Sequence, residues 1–162
     1  MAGTDANRHG TSDTVYICGG RSITSIGDIS KWRPYELQLR NAINFKELII
    51  GSEAPGYTGN MTGSLAPAEC VLLEKVNVCG VPITSLNLRT NYLIKEVLAD
   101  NGCTANVTLP NAGFVEKLHL GACSTIEVLN HPRMRDFSIQ SLDNLISMRV
   151  ENTPNIPTLT IL

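Results

Sequence analysis

Leu73-Glu-Lys-Val76-Asn-Val78 is followed by Ile94-Lys-Glu-Val97-Leu-Ala99, and the two share one form: apolar, two non-core residues, apolar, any residue, apolar. Phe45-Lys-Glu-Leu48-Ile-Ile50 stands upstream. Val115-Glu-Lys-Leu118-His-Leu120, Met134-Arg-Asp-Phe137-Ser-Ile139 and Ile156-Pro-Thr-Leu159-Thr-Ile161 follow. From Leu73 onward the starts fall at positions 73, 94, 115, 134 and 156. A nearly constant step of about 21 residues is the signature of a solenoid, in which one small unit stacks on copies of itself.

A second line of the same form lies between the first copies. It reads Ile83-Thr-Ser-Leu86-Asn-Leu88, Thr104-Ala-Asn-Val107-Thr-Leu109, Cys123-Ser-Thr-Ile126-Glu-Val128 and Leu145-Ile-Ser-Met148-Arg-Val150. Each coil therefore carries two short extended segments. Ile23-Thr-Ser-Ile26 and Pro34-Tyr-Glu-Leu37-Gln-Leu39 continue the echo upstream. Alternation of period two within the segments, and frequent Gly, Pro and Asn between them, predict strands and not helices. The fold expected is an all-β, right-handed parallel solenoid with about 21 residues and two strands per coil. The step from Phe45 to Leu73 is longer than the others, and the excess falls in the turn-forming run Gly51-Ser-Glu-Ala-Pro-Gly-Tyr-Thr-Gly-Asn60. The domain division expected is a flexible or partner-ordered segment over 1–20, then the repeat over 21–162 with an inserted loop near 51–62.

Composition fits a single long, narrow core: 162 residues, 43% hydrophobic and only 5% aromatic. A net charge of −2 and a pI near 5.9 argue against an electrostatic nucleic-acid binder. No apolar run reaches the ~18 residues of a membrane span, and the N-terminal run Met1–Gly10 lacks the apolar stretch of a secretory signal. No nucleic-acid or membrane partner is expected. Five cysteines, Cys18, Cys70, Cys79, Cys103 and Cys123, form no CxxC pair and are expected as free thiols filling small core positions.

In-register stacking makes the outward columns readable. One column is Glu47, Lys75, Glu96, Lys117 and Asp136, whose signs alternate and would attract at every step. The next is Ile49, Asn77, Leu98, His119, Ser138 and Thr160. Because Ile49 and Leu98 would be displayed to water there, this column is the candidate partner-binding face. The second line presents Ser85, Asn106, Thr125 and Ser147, then Asn87, Thr108, Glu127 and Arg149, a small and hydroxyl-rich surface.

The tandem Leu73–Val78 and Ile83–Leu88 resembles short leucine-rich repeats. More narrowly, Phe45-Lys-Glu-Leu-Ile-Ile-Gly-Ser-Glu53, Phe114-Val-Glu-Lys-Leu-His-Leu120 and Val150-Glu-Asn-Thr-Pro-Asn-Ile156 are similar to irregular repeats in large structural proteins of tailed bacteriophages of gut bacteria. The likeness covers about residues 20–162 and implies a leucine-rich-repeat-like coil in a tail or baseplate protein. One departure stands out. The leucine-rich consensus carries a backbone-binding Asn shortly past the last strand leucine, and here those positions hold Glu53, Val81, Gly102, Cys123 and Leu142. Either other groups satisfy the turn backbone, or the cross-section is closer to a β-helix.

No catalytic constellation emerges, and no cofactor is expected. His119 and Cys123 flank a turn without an evident orienting group. His9, His119 and His131 have no metal-ligand spacing with Asp or Cys. Sequons at Asn60-Met-Thr62 and Asn106-Val-Thr108 lack an export signal beside them. The run Leu159-Thr-Ile-Leu162 ends inside a strand, so further polypeptide or another subunit is expected to cover the last coil. The function expected is a non-catalytic structural and interaction module of a virion, made in the host cytoplasm. Its alternative is an adhesin-like domain at a bacterial surface that binds a host-surface protein or glycan. A polysaccharide-cleaving β-helix would need clustered carboxylates, whereas Glu47, Glu96 and Asp136 alternate with lysines.

Overall fold

The computed structural model describes residues 14–18, 25–28, 30, 36–40, 42–156 and 160–161. Ile23, Pro34, Leu159 and Leu162 of the repeat pattern, and His9, lie outside the described residues. Among those described, the chain forms fourteen short strands and no α-helix. One parallel sheet contains β2 (Ser25–Asp28), β4 (Glu47–Ile49), β6 (Lys75–Asn77), β8 (Glu96–Ala99), β10 (Lys117–Leu120), β12 (Asp136–Ile139) and β14 (Thr160–Ile161), stacked in that order. A second contains β5 (Gly63–Leu65), β7 (Ile83–Asn87), β9 (Asn106–Thr108), β11 (Thr125–Leu129) and β13 (Ser147–Glu151). From β4 onward, consecutive strands belong to opposite sheets, so the chain circles the core once for every two strands. It is a parallel β solenoid.

Register fixes the interval. Val76 pairs with Val97, Val97 with Leu118, Leu118 with Phe137 and Ser138 with Thr160, so the strand pairing keeps the steps of the sequence pattern. The second sheet repeats those steps from Ser85 to Asn106, Thr108 to Glu127 and Ile126 to Met148. Val76, Val97, Leu118 and Phe137 form one buried interior row, continued by Leu48. Phe45, Leu73, Ile94, Val115 and Met134 fill the corner before each strand of the first sheet and are fully enclosed. Each such side chain contributes roughly 1.5–3 kcal/mol by leaving water, so stability grows coil by coil.

The strand β1 (Thr14–Cys18), inside the segment 1–20 expected as a lead-in, pairs in parallel with β3 (Glu36–Arg40), Thr14 against Glu36. Between β4 and β5 lies the long connection 50–62. Its Tyr57 hydroxyl donates to the carbonyls of Ser30 and Ile50, at 2.9 and 3.0 Å. Asn101 pins the same loop from two coils away, donating to the carbonyls of Ser52 and Ala54 at 3.1 Å each.

The corners set two strict demands on residue size. A Cβ on Gly51 would collide with the Cys79 backbone, and one on Gly121 with the Cys103 carbonyl, so adjacent coils close up only around glycine. Asn101, Asn130 and Asn152 adopt φ of 52°, 59° and 55°, the left-handed region that Asn tolerates better than most residues. At three of the leucine-rich Asn positions the backbone N–H is met by other groups: Val81 by the Val78 carbonyl, Cys123 by the Gly121 carbonyl and Gly102 by Gln140 Oε1. On the corner before the first sheet, buried Asn91 donates to the carbonyls of Pro67 and Cys70, at 3.0 and 2.8 Å.

Candidate functional site

The six residues of the expected partner face do fall in one file: Ile49, Asn77, Leu98, His119, Ser138 and Thr160 are successive register partners. The Thr160 side chain lies outside the described residues. The file is not the displayed apolar stripe that its sequence suggests. Leu98 is only 1% exposed, although it stands apart from the main core cluster. Polar groups surround its position: Asn77 and His119 on the adjoining coils, and Glu96 and Asp100 two places along the chain on either side. All four are held by bonds of their own. Asn77 is buried, and its Oδ1 accepts the Cys79 N–H at 3.0 Å. Glu96 pairs with Lys75 at 3.2 Å. Ile49 and Ser138 are half-buried.

His119 and Asp100 belong to a polar chain that crosses four coils. The Cys79 thiol donates to Asp100 Oδ1 at 2.8 Å, Asp100 Oδ2 lies 3.7 Å from His119 Nδ1, and His119 Nε2 donates to Asp136 Oδ1 at 2.9 Å. Burial and the acceptor Asp100 raise the Cys79 pKa, so the group stays a thiol and is a poor nucleophile. Cys123 is enclosed in the core with its pKa likewise raised by burial, while His119 is engaged by the two aspartates. Burial pushes the Cys70 and Cys103 thiols up to about 11. The arrangement fastens coils together. Among the described residues no group of three or more His, Cys, Asp or Glu side chains is placed to hold a metal ion.

Two alternating charge columns, not one, flank this file. In the expected column Lys75 meets Glu96, and Lys117 meets Asp136 at 4.0 Å. One residue earlier runs a column of opposite phase: Lys46, Glu74, Lys95, Glu116 and Arg135. Glu74 pairs with Lys46 at 3.6 Å and with Lys95, and Glu116 pairs with Arg135. The signal was present in the dipeptides Lys46-Glu47, Glu74-Lys75, Lys95-Glu96 and Glu116-Lys117, whose order reverses at every coil.

Apolar side chains are displayed at a corner the repeat pattern did not single out. Each turn before the first sheet is closed by a bond such as Phe45 N–H to Ala42, Leu73 N–H to Cys70 or Ile94 N–H to Asn91. The exposed middles of these turns carry Ile43, Val71 at 48% exposure, and Tyr92 at 58% with Leu93. Phe114 holds the same place in the next coil, with the Arg133 guanidinium 4.7 Å above its ring. On the second sheet the predicted polar columns are largely outward, and Arg149 reaches Glu127 and Glu151. Asn106, in the second sequon, is tied to Ser124 and Thr125 by its own amide. Comparison with known proteins finds no matching family model, no matching curated protein and no matching solved structure.

Proposed function

We propose that this chain is a non-catalytic structural and protein-interaction module, whose stacked coils present contacts to other protein subunits or to further polypeptide. The supporting observation is the course of one inward row. Leu86 and Ile126 are enclosed, but Met148, the register partner of Ile126, is 40% exposed, against 2% for Ile126. Ile146, next to it, is 85% exposed. The row is enclosed at Leu86 and Ile126, half-buried at Val107 and most exposed at Met148, and that exposed part at β13 is a surface suited to stacking by another protein layer.

The narrower form of the proposal places the module in the tail or baseplate of a bacteriophage virion. Its support is the similarity of the phrases at 45–53, 114–120 and 150–156 to repeats of such proteins. A catalytic role gains nothing from the aspartates closest to one another in the polar chain, because His119 engages both Asp100 and Asp136.

Replacing Ile146 and Met148 together by lysine tests the stacking surface. The double variant is expected to keep its circular dichroism spectrum and to bind a hydrophobic-surface dye at least twofold less than the parent chain. Unchanged dye binding would contradict the proposal. For the narrower form, capsid and tail genes beside the coding sequence are the expected result. A secretion signal and surface anchor encoded by the gene would overturn it in favour of the adhesin.

A further inference from the structure

The exposed corner before the first sheet breaks the usual chemistry of turns. Middle positions of such turns favour Pro, Asn, Asp, Ser or Gly. The last two coils obey this with Pro132-Arg133 and Pro154-Asn155. Four earlier coils show exposed apolar side chains there: Val71 and Tyr92-Leu93 in turns with no such residue, Ile43 beside Asn44, and Phe114 beside Gly113. Among the described residues the apolar stretch runs from Ile43 to Phe114, whose ring is covered on one side by Arg133. Ile43, Val71 and Tyr92 take the first middle place of their turns and Leu93 and Phe114 the second, so with coils ~4.8 Å apart these side chains form a ridge along the corner.

The charges bordering this ridge point to its occupant. Lys46, Glu74, Lys95 and Glu116 follow the ridge residues by two or three positions in the same four coils, and their signs run plus, minus, plus, minus. Reversing that order turns every plus into a minus. A second copy laid antiparallel, with a two-fold axis between the coils of Val71 and Tyr92, therefore sets Lys46 against Glu116 and Glu74 against Lys95 throughout. The same operation places Ile43 on Phe114, and Val71 on Tyr92 and Leu93. A two-fold contact requires this self-complementarity, with residue i meeting j and j meeting i. The apolar run and the four charges beside it satisfy it about one axis, and Arg135, the fifth charge of the column, lies beyond the run.

We infer that this corner is a homodimer interface, formed by the ridge of one copy against the ridge of another in antiparallel orientation. The contact is small. The patch is of the order of the roughly 300–600 Å² that the largest apolar patch of a monomer reaches, below the ~800 Å² per partner of a standard stable interface. Association is accordingly weak and concentration-dependent.

Sedimentation velocity on the full chain, from about 1 to about 200 μM, tests the inference. The parent chain is expected to shift from monomer to dimer across that range. Tyr92→Lys should weaken the association at least tenfold with an unchanged circular dichroism spectrum. Glu74→Lys alone should weaken it too, and adding Lys95→Glu should restore it, because the double swap keeps opposite signs across the axis. Met148→Lys, at the bare coil end, should leave it unchanged. A chain that stays monomeric throughout overturns the inference, and so does a dimer that survives Tyr92→Lys. Loss of association in Met148→Lys but not in Tyr92→Lys would assign self-association to end-on stacking, sinking the corner interface while leaving the proposed stacking surface intact.

Discussion

Asn91 carries a duty that the repeat pattern alone did not assign. Its side-chain amide holds two carbonyls of the preceding coil from a fully buried position, and each would otherwise lose a partner away from water. Asn91→Leu removes both side-chain bonds while each carbonyl keeps the N–H of its own turn, Cys70 to Pro67 and Leu73 to Cys70, so it is expected to destabilise the chain by about 1–2 kcal/mol, measurable by urea unfolding. His131 fills the equivalent corner two coils on and faces glycine: a Cβ on Gly113 would lie 3.2 Å from its Cε1. Its ring nitrogens are turned towards the Pro110 and Gly113 carbonyls but fall outside hydrogen-bond geometry. Burial therefore prevails over those carbonyls and lowers its pKa below 6.5. A depressed folded pKa means that the unfolded chain binds the proton more readily. Stability from this group is complete above pH 6.5 and is lost as pH falls through the lower folded value. Unfolding free energies measured from about pH 7.5 to about pH 5 should decline for the parent chain, with the part due to His131 absent in His131→Phe. Neither role was legible beforehand, because Asn91 and His131 sit where the other coils carry Ala42, Cys70, Ala112 and Thr153, and no polar residue type repeats there.

At the scale of elements, the inward and outward positions of the first sheet could be read from spacing because every coil keeps the same three apolar places. The strands β1 and β5 were not read. In β5 only Leu65 keeps the pattern, beside Gly63 at φ 79°. The expected display of Leu98 failed for a related reason. Alternation tells which face a residue takes, but not whether the polar side chains around it enclose it. The shortest coil shows another local solution. Ladder pairing between β9 and β11 is reduced to Thr108 and Glu127, and the Asn106 side chain supplies the missing bonds by accepting the N–H groups of Ser124 and Thr125 at 3.0 Å each. Asn106→Ala should cost about 1–2 kcal/mol. Hydrogen exchange should show faster exchange at the amides of β9 and β11, with those of β8 and β10 little changed. Equal acceleration in all four strands would contradict this assignment.

For the whole molecule, stacking makes the interior a continuous row and the exterior a set of charge columns, and the two differ sharply in energetic weight. Leu118→Asp puts an unpaired carboxylate between Val97 and Phe137 and should cost several kcal/mol, lowering the melting temperature or preventing folding. Lys117→Ala removes an exposed pair with Asp136 at 4.0 Å and should change stability by less than about 1 kcal/mol. The alternating columns favour one alignment of coils by opposing like charges at shifted registers, while burial of the row provides the driving force. The most direct measurement of this arrangement is a methyl nuclear Overhauser spectrum of the chain labelled at Ile, Leu and Val methyls and at Phe rings. The account predicts that Leu118 shows cross-peaks to Val97 and to the Phe137 ring, and that Val97 shows them to Val76. Leu118 contacts confined to residues within a few positions along the chain, with none to Val97 or Phe137, would contradict it.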